Sequence, residues 1–271
     1  MSEAWVGIGL VLGTFTALFA VFSIIGPLLQ PEVLRKGLHI TMGLTTLSFP
    51  WLFESNWPVI LVAAASAIAF LGVHAHLPLL RRLARALERI KRVSVGEFCF
   101  VAATAIVFVL AADDPVLYCI PMLLLTLADA AAALVGTAYG RHRYATIGGY
   151  KTIEGSAAFF VVAFGCIAIP VAWFTPASNP EAVAVAAIIA MAVTVLEAAM
   201  GGGLDNLLVP LGAFAAIKAT GLTAQQPAAL ESGSPIVVAG MSLAAALLLL
   251  LVVILASWRR ANQLKESPAR E

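Results

Sequence analysis

Apolar residues run along this chain in long blocks separated by short polar and charged stretches. The blocks fall at 4–29, 38–53, 57–73, 98–112, 115–139, 157–174, 182–200, 207–217 and 235–258. A helix needs about 20 apolar residues to cross the hydrocarbon core of a bilayer, with roughly 17 to 25 common. The pattern therefore predicts membrane-spanning helices rather than a core folded in water. Blocks 38–53 and 98–112 are short unless their flanks extend them. Block 207–217 is shorter still and contains Pro210, so it reads either as a short span or as a re-entrant segment. Irregular backbone is tolerated at membrane depth where protein or a cavity surrounds it. The first block is too long for a secretory signal and lacks a basic leader and a small-residue cleavage pattern, so it reads as a first transmembrane helix. The expected fold is an all-α integral membrane protein: a multi-pass helical bundle of about nine segments, with a short eighth, forming one domain over 1–271.

Composition agrees. Hydrophobic residues make up 61% of the chain and charged residues 11%, whereas a soluble domain carries about 25% charged residues. The three cysteines, Cys99, Cys119 and Cys166, all lie in apolar runs. Their odd number and wide spacing exclude a disulfide framework or a zinc site, and buried packing is the expected role.

Charge placement adds a topology. With nine crossings and the amino terminus outside, the inner loops are 30–37, 74–97, 140–156 and 201–206, plus the tail after Trp258. They hold all 16 Lys and Arg residues except Lys218, as the positive-inside rule predicts. A re-entrant eighth segment would instead send Arg259, Arg260, Lys265 and Arg270 outside. Loop 74–97 has Leu80, Leu83, Ala84, Leu87 and Ile90 at helical spacing, with Arg81, Arg82, Arg85, Arg89 and Arg92 largely on other faces. That is the pattern of a basic amphipathic helix in the headgroup region, serving as a topology anchor or as a field for anionic lipid or nucleotide. The basic residues call for no nucleic-acid partner.

Ionisable groups within spans are costly and point to function. Asp129 lies ten residues before Tyr139, or about 15 Å along a helix. Glu197 stands just before Gly201, Gly202 and Gly203. The loop 139–156, YGRHRYATIGGYKTIEGS, is basic, glycine-rich and leads into a helix. Such a loop offers backbone N–H groups, a helix amino terminus and cations to phosphates. Lys151 with Arg141 or Arg143 would supply the charge, and Thr152, Glu154 and Ser156 would cap the helix or approach a metal. It is not a Walker A loop, because Tyr150 precedes the lysine where that pattern needs glycine. In PEVLRKGLHITMG, Glu32, Lys36, His39 and Gly43 share one helix face with Arg35 alongside. His39 reads as a hydrogen-bonded interfacial residue or as a chemical group; His74 and His76 read as surface residues. Asp205 and Asn206 precede the eighth segment, and such oxygens suit Mg²⁺ together with substrate phosphates.

These residues resemble a family. The stretch ADAAAALVGTAYGRHRYATIGGYKTIEGS is similar to the nucleotide-binding region of the CTP-dependent lipid-alcohol kinases, which include dolichol kinase, phytol kinase and the yeast-type diacylglycerol kinase. The shared features are an Asp on a helix, a G-x-x-x-G step at Gly136 and Gly140, and K-T-x-E-G-S from Lys151 to Ser156. E-x-x-R-K-x-x-H at Glu32, Arg35, Lys36 and His39 also matches, as does L-D-N-x-x-V-P-L from Leu204 to Leu211. The motifs keep the family's order and span most of the chain.

The resemblance implies transfer of the γ-phosphate of CTP to a membrane-embedded isoprenoid alcohol, of the phytol, prenol or dolichol class. The compact length leans towards a bacterial phytol or prenol kinase in the inner membrane, with its site loops cytoplasmic. It also implies roles. Arg35, Lys36, Gly136, Gly140, Arg141, Arg143, Lys151, Thr152, Glu154, Gly155 and Ser156 would surround the nucleotide. Asp129, Glu154 and Asp205 would bind Mg²⁺. Asp129, Glu197 or His39 would take the alcohol proton. Two alternatives stand beside this reading. Phosphatidate cytidylyltransferases have a similar K-T-x-E-G segment, but their D-R-x-D signature is absent here. The stretch from Glu197 to Pro210 also carries two acids and no Lys or Arg, which suits a neutral hydroxyl better than an anionic phosphatidate. An ion-coupled transporter would use intramembrane acids and a broken span but would not need the Lys151 loop.

Overall fold

The computed structural model describes residues 2–26, 29–75 and 95–222. Helices dominate because a backbone without water must satisfy its own N–H and C=O groups. They are α1 (Ser2–Ile25), α2 (Pro31–Thr46), the short α3 (Phe49–Leu52), α4 (Asn56–His74), α5 (Gly96–Ala111), α6 (Pro115–Leu123), α7 (Asp129–Tyr139), α8 (Ile153–Phe174), α9 (Asn179–Ala199) and α10 (Asp205–Ala219). A wide π turn, Leu124–Ala128, joins α6 to α7 in one continuous rod. A hairpin of β1 (Arg143–Thr146) and β2 (Gly149–Thr152) joins α7 to α8.

Local chemistry fixes the helix starts. Pro31 opens α2, and Pro fits a first turn because its missing N–H has no intrahelical partner there. Asp114 accepts from the N–H groups of Val116 and Leu117 at the start of α6. Glu181 Oε2 accepts from Ser178 N–H at 2.8 Å and from Ser178 Oγ at 2.9 Å at the start of α9. Thr152 accepts from Gly155 N–H at 3.1 Å to begin α8.

Four rods, Glu3–Ile25, Pro115–Tyr139, Ile153–Phe174 and Asn179–Ala199, are long and apolar enough to cross a bilayer; α4 and α5 are apolar but shorter. The protein is thus a helical membrane protein, but nine spans are not established. The ninth expected segment, 235–258, lies outside the described residues, as does most of the basic loop 74–97. Block 207–217 is an unbroken helix through Pro210, with no reversal inside it. The second expected span needs correction. Its helix begins at Pro31, seven residues before the apolar block, and stops at Thr46. Of its charges, Glu32 and Arg35 pair with each other along α2, and Lys36 pairs with Asp129 of α7.

Between helices in lipid, close packing and hydrogen bonds replace the hydrophobic drive. Small residues supply the approach. A Cβ on Gly43 of α2 would strike the Thr126 side chain of the π turn, and one on Gly155 would come within 2.8 Å of Ala132 O. The π turn is central, packed on α2, α8 and α10. Hydroxyls on α2 turn back to their own helix, as Thr41 does to Gly37 O and Thr45 to Thr41 O, so they enter the interior without unmet donors. Tyr118, Phe49 and Phe108 form an aromatic cluster beside the far end of α2, where Tyr118 Oη donates to Thr46 O at 3.0 Å.

Candidate active site

Polar side chains gather at the end of the bundle where α2, α5, α8 and α10 start and α9 stops. The hairpin brings the first cation. Cross-strand partners Tyr144 and Lys151 face the helices together, since side chains alternate along strands. The turn needs Gly148 at φ +93°, the left-handed region glycine favours. Ile147 N–H bonds Ala199 O at 3.1 Å, while Gly148 lies against the backbone of Gly201 and Gly202. The triple glycine thus clasps the hairpin tip.

Lys151 Nζ donates to Glu197 Oε1 at 2.6 Å, to Glu197 O at 2.5 Å and to Asp205 Oδ2 at 3.0 Å. Burial pulls the Lys151 ammonium down, but Asp205 and Glu197 push it up further, leaving it above the ordinary lysine value. Ser156 Oγ donates to Glu197 Oε2 at 3.2 Å and lies 2.5 Å from Tyr144 Oη. Asn206 Nδ2 donates to Gly96 O at 3.0 Å, which ties the starts of α10 and α5 together.

A second group lies deeper. Lys36 Nζ is ion-paired with Asp129 Oδ2, and its residue is only 2% exposed. His39 Nε2 stands 3.4 Å from the same oxygen and 2.7 Å from Leu125 O. Glu32 and Arg35 pair with each other at 2.6 Å, half-buried, one turn nearer the start of α2. The two groups are neighbours: Asp129 acts electrostatically on Glu197, and on Arg35 alongside Glu97.

The expected residues therefore divide. Lys151, Ser156, Glu197 and Asp205 meet, as do Lys36, His39 and Asp129. Lys36 holds Asp129. Gly136 and Gly155 serve helix contact: a Cβ on Gly136 would lie 2.9 Å from Thr152 Oγ1. Thr152 caps α8. Gly140 closes α7, Arg143 is exposed on the hairpin and Arg141 is exposed just before it. Glu154 turns outward to His142 Nδ1 at 2.7 Å. The proposed metal trio of Asp129, Glu154 and Asp205 is thus spread over three environments. Among the described residues, no three His, Cys, Asp or Glu side chains stand together as a metal cluster. Glu197 and Asp205 are the two carboxylates that converge, both on one cation. Tyr144 and the π turn were missed by sequence reasoning; strand alternation around Ile147–Gly148 was the available signal for Tyr144.

Fold and site together define a helical membrane protein whose lysine–carboxylate chemistry lies at one end of its bundle. Over 212 residues the chain is 30% identical to the phytol kinase of Synechocystis sp., covering 77% of this chain and 88% of that protein. No family model and no solved structure matches. The chain belongs to the phytol kinase-like family of lipid-alcohol kinases.

Proposed function

We propose that this protein transfers the γ-phosphate of CTP to the hydroxyl of an isoprenoid alcohol held in the bilayer, giving a lipid monophosphate and CDP. The carrying observation is the convergence of Lys151, Glu197 and Asp205 beside the Lys36–Asp129 pair. Phosphoryl transfer needs charge neutralisation and in-line placement more than covalent help. Lys151 is the cation that would meet a triphosphate, with Arg143 exposed on the same hairpin and Arg141 exposed just before it. Asp129, held by Lys36, is the carboxylate that would accept the alcohol proton. Kinship with a phytol kinase supports the isoprenoid acceptor.

Mg²⁺ fits the residues present. Glu197 and Asp205 already share one cation, Lys151, at 2.6 and 3.0 Å, and Mg²⁺ favours one or two carboxylates plus substrate phosphates. When bound, it would neutralise charge on the transferring phosphoryl group. The site end would face the cytoplasm of a bacterial inner membrane, because the basic hairpin with Arg143 and Lys151 lies there. An impermeant thiol reagent should fail to label a cysteine placed at Arg143 in intact cells; efficient labelling would reverse the orientation.

CTP labelled at the γ-phosphate, incubated with the purified protein and a panel of lipid alcohols, tests the reaction. Label in the lipid fraction is expected. Label in pyrophosphate, with cytidine entering the lipid, would replace the kinase reading with a cytidylyltransferase.

A further inference from the structure

The rod that carries Asp129 changes its hydrogen-bond spacing just before that residue. Asp129 N–H bonds the carbonyl of Leu124, five residues back, and the helix beyond it is α. When five-residue spacing returns to four, one carbonyl is passed over, and here it is that of Leu125. A buried carbonyl needs a donor from elsewhere. His39 Nε2, 2.7 Å away, is the group that meets it. A carbonyl only accepts, so Nε2 carries the hydrogen and donates. The ring of Phe100 sits edge-on to the imidazole at 5.0 Å and confines it.

The same face of α2 grips this turn twice more. Lys36 pairs with Asp129, and Gly43 leaves room for Thr126. One added residue turns everything beyond it by about 100° relative to a continuous α-helix. The direction in which Asp129 points therefore depends on the wide turn being kept. Such single π turns are frequent at functional sites.

We infer that His39 is a positioning residue for the phosphoryl transfer. It donates from Nε2 to the Leu125 carbonyl, keeps the Leu124–Ala128 turn wide and so aims Asp129, without itself taking the alcohol proton. The inference rests on the kinase reading above and sharpens it, since it removes one of three candidate bases.

Two substitutions separate the roles. In His39→Gln an amide N–H can occupy the place of Nε2, but no basic nitrogen remains. In His39→Leu both are gone. A positioning donor predicts that His39→Gln keeps kcat near wild type with an unchanged pH profile. His39→Leu should lose kcat on the order of 10²-fold, the scale of a 1 Å misplacement, with little change in nucleotide KM. A general base would instead cost His39→Gln about 10²–10⁴-fold, and that result overturns the proposal. Wild-type kcat in His39→Leu also overturns it, by reducing His39 to packing. If the wild-type protein transfers no phosphate, the kinase reading fails separately. The donor geometry is then judged by the ¹⁵N resonances of His39, where hydrogen on Nε2 is expected and hydrogen on Nδ1 alone sinks the inference.

Discussion

Two lysines meet carboxylates at the same end of the bundle, in different ways. Lys36 is almost sealed, with a side chain 3% exposed and one acid, Asp129, as its partner. Lys151 is more open at 17% and has two, Glu197 and Asp205. The first group balances one cation against one anion. The second carries an excess negative charge and adjoins exposed hairpin residues. A sealed, balanced pair is costly to break but has no spare capacity. An open, acid-rich pair can exchange its lysine for another cation, or release it towards a phosphate. The deep group thus suits holding a carboxylate in place, and the shallow one suits receiving a charged ligand.

The largest expected effect tests the sealed pair. Lys36→Met leaves Asp129 buried without its partner, which costs about 3–5 kcal/mol. Lys151→Met should cost less, because Lys151 and Asp205 reach water at the rim, although Glu197, only 4% exposed, also loses its cation. Denaturant titration in detergent compares them directly. Adding Asp129→Leu to Lys36→Met should restore much of the stability and none of the transfer. Equal losses for the two lysines would erase the distinction.

The second effect reverses the order. Lys151→Ala should weaken nucleotide binding by about 1.5–3 kcal/mol, the scale of a charged hydrogen bond, or roughly 10- to 150-fold in Kd. Asp129→Asn should leave that affinity near wild type while turnover falls by orders of magnitude. Calorimetric titration with nucleotide separates these results. Unchanged affinity in Lys151→Ala would make the hairpin a connector.

The same comparison shows what was legible in the sequence. The apolar interiors of the spans could be read because length and hydropathy decide them locally. Their starts could not. Charge read along a chain looks like a loop, yet Glu32, Arg35 and Lys36 lie inside α2: Glu32 and Arg35 pair with each other one turn apart, and Lys36 takes its partner Asp129 from another helix. Lys36 and Asp129 are 93 residues apart, so no local pattern joins them. Lys151, Glu197 and Asp205 were each singled out by chemistry, but their meeting depends on a hairpin that basic and glycine-rich composition hid. The wide turn was least legible. Pro121 signals an irregular helix, but the turn's place is set by contact with α2, α8 and α10.

The third effect acts on the deep group through packing alone. Gly43→Ala sets a Cβ against Thr126 and must push α2 from the π turn, costing about 1–3 kcal/mol as other overpacked sites do. Gly165→Ala on α8 meets nothing within 4 Å and should stabilise by about 0.5–1 kcal/mol, as alanine does over glycine within a helix. Turnover should drop in Gly43→Ala and hold in Gly165→Ala. Equal stability in the two would remove close approach as the reason for the glycine.

The smallest expected effect concerns Glu32 and Arg35, which lie at the rim of the deep group. Their pair is bidentate, with Arg35 Nη2 and Nε donating at 2.6 and 3.2 Å, but its side chains are 28–29% exposed. A pair of that exposure contributes about 0–1 kcal/mol, so Glu32→Gln should barely move the denaturation midpoint. Its effect on binding should have a definite sign. Arg35 also feels Asp129 and Glu97, so losing Glu32 leaves its charge directed inward and less neutralised. Nucleotide affinity should therefore hold or rise slightly in Glu32→Gln and fall in Arg35→Gln. Because the charges are near the surface, the gap between the variants should narrow as salt is raised, the Debye length falling to about 3 Å at 1 M. A gap that ignores salt would place Arg35 with the sealed pair instead of at its rim.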